Sequence, residues 1–145
     1  MYYFIVNPGA GRGRGEKIWK KLESRLQHTG LEYEVSVTEK TGDAARITAG
    51  LTERGAESRT IVAVGGDGTL NEVINGLSFR GPVTLGYIPA GIGSNLARSL
   101  KLPKDPARGL KRILEGKIVK QLDYGILSYE CGQPVHRRFL ISCGI

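Results

Sequence analysis

An apolar, β-branched run, Thr60-Ile61-Val62-Ala63-Val64, breaks directly into Gly65-Gly66-Asp67-Gly68-Thr69, and this junction restricts the fold more than any other stretch of the chain. The run reads as a buried strand. Glycines without Cβ let backbone N–H groups approach anionic oxygens, and a helix beginning near Thr69 adds its positive N-terminal end. Strand, phosphate-sized loop and helix in that order belong to an α/β domain with a mainly parallel sheet. Asp67 faces the same space. A carboxylate among phosphate-binding amides is repelled unless a divalent cation lies between them, so Asp67 suggests Mg²⁺-nucleotide rather than bare phosphate. A plainer reading makes the segment a tight turn with Asp67 as a helix N-cap.

The rest of the chain alternates in the same way. Strands are expected over residues 2–7, 33–38, 60–64 and 84–88. A helix over 16–29 is marked by Ile18, Leu22 and Leu26 recurring every four residues, and one over 43–54 by Ala44, Ile47 and Leu51 on one face. Further helices are expected over 69–77, 95–100 and 106–115. After Gly116 two extended segments, 118–129 and 137–142, read as an antiparallel pair joined through Cys131-Gly132-Gln133-Pro134. The sequence stops inside the apolar stretch Ile141-Ser142-Cys143-Gly144-Ile145, which reads as a domain cut from a longer product.

At 145 residues the chain is one ordinary domain, and its 21 glycines lie in discrete clusters instead of a low-complexity tract. No apolar run is long enough to cross a bilayer, and Met1-Tyr2-Tyr3-Phe4-Ile5-Val6 lacks the charged start of a signal peptide. The expectation is a cytoplasmic protein. Cys131 and Cys143 form neither a CxxC pair nor a cluster with His28 and His136, so free, partly buried thiols are expected and structural zinc is not. A net charge of +7 is compatible with nucleic acid, an anionic membrane surface or a phosphorylated ligand.

In open parallel sheets, ligands gather beyond the carboxyl ends of the strands, and the unusual segments of this chain all sit at such ends. The first strand leads into Asn7-Pro8-Gly9-Ala10-Gly11-Arg12-Gly13-Arg14-Gly15 and the second into Thr38-Glu39-Lys40-Thr41-Gly42-Asp43. The third leads into the Asp67 loop, and the fourth into Pro89-Ala90-Gly91-Ile92-Gly93-Ser94-Asn95. The first loop is neither a dinucleotide fingerprint, because Arg14 takes the place of the last glycine, nor a Walker loop, because no Ser or Thr follows Lys17. Arg12 and Arg14 suit phosphate oxygens, or form a solvated basic turn. Ser94 or Asn95 can cap the helix that follows and leave an anion site there. Asn71 and Glu72 fall in the first turn after Thr69, where Glu72 either contacts nucleotide or metal or complements the helix dipole. The basic residues Lys17, Lys20, Lys21 and Arg25, with Lys101, Lys104, Arg108, Lys111 and Arg112, read as solvated faces or as a membrane-facing surface.

Asn7-Pro8 with its glycine turn, the run from Gly65 through Asn71-Glu72-Val73, and Pro89-x-Gly91 leading to Asn95-Leu96-Ala97-Arg98-Ser99-Leu100 together resemble the diacylglycerol kinase catalytic domain. That family includes sphingosine and ceramide kinases and bacterial lipid kinases. The resemblance runs from Tyr3 to the end. Asp123-x-Gly125 and the segment from Phe139 to Ile145 are similar to the family's passage into a second, β-rich domain, which is absent from this chain.

The resemblance implies a three-layer α/β sandwich of the NAD kinase/diacylglycerol kinase type, with residues 1–145 as the N-terminal nucleotide-binding domain. It implies a kinase that phosphorylates a lipid hydroxyl with ATP and Mg²⁺ as cofactors, ATP lying between the two domains. Nucleotide contacts fall on Asn7, Gly11, Arg12, Thr38, Gly65, Gly66, Asp67, Gly68, Thr69, Leu70, Asn71, Glu72, Gly91, Ser94 and Asn95. Asp67 is the catalytic residue, positioning the γ-phosphate through the metal, while the general base belongs to the second domain. The partners implied are ATP and a lipid at the inner membrane surface, with no specific nucleic acid. The short chain is inactive alone, and its apolar end favours a homodimer.

One departure stands out. Where the family reads Gly-Thr-x-Asn-Asp, this chain has Gly91-Ile92-Gly93-Ser94-Asn95, so that in either register a carboxylate is lost. The rivals are an NAD-kinase-like enzyme, against which Asn71-Glu72-Val73 and the segment from Asn95 to Leu100 weigh, and a nucleotide-sensing or DNA-binding regulator. The latter lacks a helix-turn-helix with a basic recognition face.

Overall fold

The computed structural model describes residues 1–53, 57–117 and 120–140. Four strands, β1 (Tyr2–Val6), β2 (Tyr33–Val37), β3 (Arg59–Gly65) and β4 (Val83–Pro89), form a parallel sheet in the order β2-β1-β3-β4. The register is set at the centre, where Tyr2 pairs with Tyr33 on one side and Thr60 on the other, and Val64 pairs with Ile88. A central parallel strand is covered on both faces and reads as a continuous apolar run. That is why Phe4-Ile5-Val6 and Ile61-Val62-Ala63-Val64 are wholly buried, whereas the edge strand β2 alternates and leaves Glu34 and Val37 in solvent.

Helices α1 (Ala10–Leu26), α2 (Asp43–Glu53), α3 (Asp67–Gly76), α4 (Asn95–Ser99) and α5 (Pro106–Glu115) cover the sheet in two layers. On one face Phe4, Val6, Val62, Val64 and Ile88 meet Ile18, Trp19, Leu22 and Leu26 of α1 and Leu110 of α5. On the other, Ile5, Ile61, Ala63 and Tyr87 meet Ala44 of α2, Leu70, Val73 and Ile74 of α3, and Leu96 of α4. Each fully buried aliphatic or aromatic side chain stabilises the fold by roughly 1.5–3 kcal/mol. The mainly parallel α/β sheet expected from the alternating pattern, and the three layers implied by the resemblance, are therefore present.

Helix boundaries follow local chemistry where such chemistry exists. α5 starts where the Asp105 carboxylate accepts the Ala107 N–H and Pro106 takes the first helical position, and it ends at Gly116 with φ 60°. α1 differs from expectation. Helical hydrogen bonding begins at Ala10, six residues before the expected start, but Gly11, Arg12 and Gly13 are all left-handed, so regular turns begin only with Arg14.

The antiparallel pair is β5 (Gly125–Cys131) and β6 (Gln133–Phe139), turning at Gly132 alone. Pairing thus reaches further into the expected connection than the sequence suggested. Residues 120–124 carry no strand, and Ile118, Val119, Ile141 and Ser142 of the expected segments lie outside the described residues, as does Arg54 of the second helix. The hairpin docks on α3. The Arg138 guanidinium donates to the carbonyls of Ile74 (3.1 Å) and Leu77 (2.7 Å), and the Asn75 amide exchanges hydrogen bonds of 2.9 and 2.8 Å with the Arg138 backbone. Arg138 also lies 4.7 Å from the Phe79 ring, which stacks on Tyr124. Cys131 is exposed, contrary to the expectation of partial burial, because it sits at the tip of the hairpin, where residues 128–134 all meet solvent. Cys143 lies outside the described residues. Among the described residues no helix is long and apolar enough to cross a membrane.

Candidate functional site

From β1 the chain moves through α1 to β2 on one side, and from β3 through α3 to β4 on the other, with α1 and α3 on opposite faces. The reversal opens a crevice beyond the carboxyl ends of β1 and β3, the usual ligand position in such sheets. Three loops converge there. Asn7 holds two of them: its Oδ1 accepts from the Gly9 N–H (3.1 Å), and its Nδ2 donates to Thr69 Oγ1 (3.0 Å) at the start of α3. Gly11, with φ 60°, brings the first loop against the fourth, where any Cβ would overlap the Ala90 carbonyl oxygen. The third and fourth loops touch backbone to backbone, since a Cβ on Gly91 would lie 2.7 Å from the Gly66 Cα, and Ala90 N–H donates to Gly65 O at 2.7 Å.

Asp67 opens α3, but Gly66 is the N-cap and the Asp67 side chain caps none of that helix. The carboxylate points instead towards β4 and α4. Oδ1 accepts from the Tyr87 hydroxyl (3.1 Å) and Oδ2 from the Asn95 N–H (2.8 Å). The N-cap reading of Asp67 therefore fails for its own helix, and Asp67 supplies the cap that Ser94, in the N-cap position of α4, does not make. Gly68 is exposed at the crevice, and the first turn of α3 carries N–H groups without acceptors inside the helix.

Tyr87 was not singled out by the sequence. Its ring is buried, and burial is the main cause that pushes its phenol up to about 12. Ser94, 3.4 Å away, opposes the shift, and the Asp67 charge adds to it. A Tyr on a core strand face needs a hydrogen-bond partner for its hydroxyl, and that was the available signal.

The second loop is held from a different direction. Glu72 reaches from α3 to the start of α2, where Oε1 accepts from Gly42 N–H (2.9 Å) and Oε2 from Ala44 N–H (3.2 Å). Asp43 Oδ2 accepts from the N–H groups of Glu39 (2.9 Å) and Lys40 (3.0 Å), which hold its carboxyl below the usual range, and Arg46 contributes further. Thr38 is buried, with its N–H and hydroxyl both directed at the Val6 carbonyl.

Of the residues expected at the site, Asn7, Gly11, Gly65, Gly66, Asp67, Thr69, Gly91, Ser94 and Asn95 are joined by these contacts around one crevice. Arg12 is exposed beside it with φ 59°, and Arg14 is exposed as well. Thr38 and Glu72 sit on the β2 side, with Glu72 spent on backbone amides. Leu70 is a core residue, 3% exposed. Asn71 shares a cleft of about 120 Å³ with Asp67, Ile74, Asn95, Leu96 and Phe139.

Among the described residues no group of three or more His, Cys, Asp or Glu is arranged to hold a metal. Mg²⁺ commonly takes one or two carboxylates and completes its shell with water and substrate phosphate. A single carboxylate, held from two sides beside a helix N-terminus, fits an ion that arrives with a nucleotide and does not fit a resident metal.

The family model described as the diacylglycerol kinase catalytic domain matches residues 1–125. The diacylglycerol kinase of Staphylococcus saprophyticus is 35% identical over 117 residues, covering 80% of this chain and 38% of that protein. The diacylglycerol kinase of Bacillus subtilis is 33% identical over 123 residues, covering 83% of this chain and 40% of that protein. A crystal structure of a diacylglycerol kinase from Bacillus anthracis superposes with a TM-score of 0.71 at 28% identity, covering 92% of this chain and 47% of that one. The chain thus spans less than half the length of these relatives.

Proposed function

Since the chain belongs to the diacylglycerol kinase catalytic domain family, we propose that it forms the ATP-binding half of a lipid kinase acting on diacylglycerol or a related lipid. The observation that carries the reading is the Asp67 carboxylate, held by Tyr87 and Asn95 at the start of α3, where glycine-rich loops from β1, β3 and β4 pack against one another.

Phosphoryl transfer asks a protein for alignment and charge neutralisation more than for covalent chemistry. The N–H groups of the first turn of α3 bind the phosphates, and Arg12 adds an exposed positive charge from the first loop. Asn7 keeps those two loops in register, while Glu72 and Thr38 hold the second loop beside them. Asp67 is the protein's ligand for the cation. When bound with the nucleotide, Mg²⁺ neutralises charge on the phosphate oxygens and orients the terminal phosphoryl group. In the transfer the terminal phosphorus leaves the bridging oxygen of ATP and bonds to the lipid hydroxyl oxygen, whose proton passes to a general base outside these loops, giving ADP and a phosphorylated lipid.

The lipid lies at a membrane surface, and the chain meets it as a peripheral protein. Lys17, Lys21, Arg25, Arg108, Lys111 and Arg112 are exposed on α1 and α5, neighbours in one layer of the sandwich, and suit an anionic surface. Residues 1–145 alone bind nucleotide weakly and phosphorylate no lipid, because the relatives they match are more than twice as long.

Calorimetric titration with Mg-ATP, together with transfer of labelled phosphate to mixed lipids, tests the proposal for this chain beside the gene product that carries it. Mg-dependent ATP binding by both is expected, with no turnover by residues 1–145 alone. Equal turnover by the short form would show that the whole site lies within these residues.

A further inference from the structure

We infer that Tyr87 is a positioning residue for Asp67, its buried hydroxyl fixing the direction in which that carboxylate meets a nucleotide-borne cation. The inference rests on the reading of Asp67 as the cation's protein ligand.

Tyr87 stands in β4 opposite Ala63 of β3, with its ring in the core layer shared by α3 and α4. Only 9% of the residue is exposed. Packing alone would be served by Phe, which brings no polar atom into the core. The hydroxyl is satisfied by the Asp67 carboxylate at 3.1 Å and stands 3.4 Å from the Ser94 hydroxyl. An ionised carboxylate only accepts, so the phenol donates to Asp67 and the serine donates to the phenol.

With Tyr87 on Oδ1 and the Asn95 amide on Oδ2, the Asp67 carboxylate is gripped from the strand and from α4. Each oxygen keeps a second lone-pair direction for a cation, and free rotation about the side chain is suppressed. Partners that orient a ligand in this manner typically change metal affinity or activity by about 10–100-fold when removed. The fourth loop, in which Ile92, Ser94 and Asn95 depart from the family pattern, takes part in the same network through Ser94 and the Asn95 backbone.

The test uses this chain and the gene product that carries it, as wild type, Tyr87→Phe, Asp67→Asn and the double variant. ATP affinity is measured with Mg²⁺ and with the metal chelated, and melting temperature alongside. Tyr87→Phe should weaken Mg-ATP binding about tenfold and leave metal-free ATP binding within about twofold. Added to Asp67→Asn, it should change Mg-ATP affinity by less than about twofold, because residues acting as one unit are not additive. Ser94→Ala, which leaves the core ring intact, should give a smaller loss of the same Mg-dependent kind. Unchanged Mg-ATP affinity in Tyr87→Phe, additive losses in the double variant, or equal losses with and without metal would each overturn the inference while the site reading stands. A wild type whose ATP binding ignores Mg²⁺ would overturn the reading of the site, and the inference with it.

Discussion

Two carboxylates on the same short helix, Asp67 in its first turn and Glu72 in its second, have opposite surroundings. Asp67 looks into the crevice at the ends of β1, β3 and β4, gripped by one side-chain hydroxyl and one backbone amide. Glu72 looks towards β2, where both of its oxygens are taken by amides at the start of α2. The crevice side is assembled from close glycine contacts that leave polar groups facing open space. On the β2 side, polar groups are spent on the protein's own backbone. The two carboxylates share a helix but face different strand ends, and in the proposed reading it is the end each faces that assigns Asp67 to chemistry and Glu72 to architecture.

Removing each charge should break the pair apart. Asp67→Asn in the gene product should cut Mg-ATP-dependent phosphoryl transfer by about a hundredfold or more, the scale on which preorganised charge contacts act. Its melting temperature should stay close to that of the wild type. Loss of stability with normal turnover would reverse the roles assigned to the two residues.

Glu72→Ala should show the converse. Two amides at the start of α2 lose their acceptor, which costs about 2 kcal/mol and several degrees of melting temperature in a domain of this size. Glu72→Gln keeps one carbonyl acceptor and should lose about half as much. Thermal melting of the three forms decides this, and a Glu72→Ala protein as stable as wild type would show that the cap carries no weight.

Arg12 and Arg14 sharpen the contrast from the crevice side, because both are exposed, Arg12 in the left-handed turn and Arg14 at the start of the regular helix that follows it. Replacing both with Ala should lower ATP or pyrophosphate affinity about tenfold, as loss of charge-assisted contacts does, and move the melting temperature by no more than a degree or two. An unstable variant with full ligand affinity would place these residues with the architecture.

The smallest effect is expected on the β2 side, from acid. The Asp43 carboxyl lies below its ordinary value of 3.8, first through the amides of Glu39 and Lys40 and then through Arg46. A lowered carboxyl contributes stability that is present above the unfolded value and lost as pH falls through the folded one. Wild type should therefore lose this contribution below about pH 4, and Asp43→Asn should show a flatter stability profile between pH 5 and 2 in urea titrations. Parallel profiles for the two proteins would remove Asp43 from the account.

Much of this is legible in the sequence. The central strands announced themselves because a strand covered on both faces must be apolar at every position, as in Ile61-Val62-Ala63-Val64. Helix α5 was legible at both ends, since Asp105, Pro106 and Gly116 are signals read within one turn of the chain. The start of α1 was not. A run with glycine at alternate positions reads as loop, and the Ala90 carbonyl against which Gly11 packs lies some eighty residues away in sequence. The exposure of Cys131 depended on how far the hairpin reaches beyond α3: Gly125 and Leu127 on the same side of β5 are half-buried, whereas residues 128–134 at the tip are exposed throughout.

What the amino-acid order determined by itself was local in origin: strand and helix periods, the glycine–Asp junction, and a family resemblance carried on contiguous motifs. The fold class and the position of the crevice follow from these, because periodicity and turn chemistry act over a few residues. Only the tertiary structure decided the employment of each polar group. The partners of Asp67 are 20 and 28 residues away, and the Glu72 oxygens meet amides 30 and 28 residues upstream. A hydrogen bond is satisfied by whatever donor the packed layers bring within about 3 Å, and that distance is set by how helices and strands settle against one another around the core.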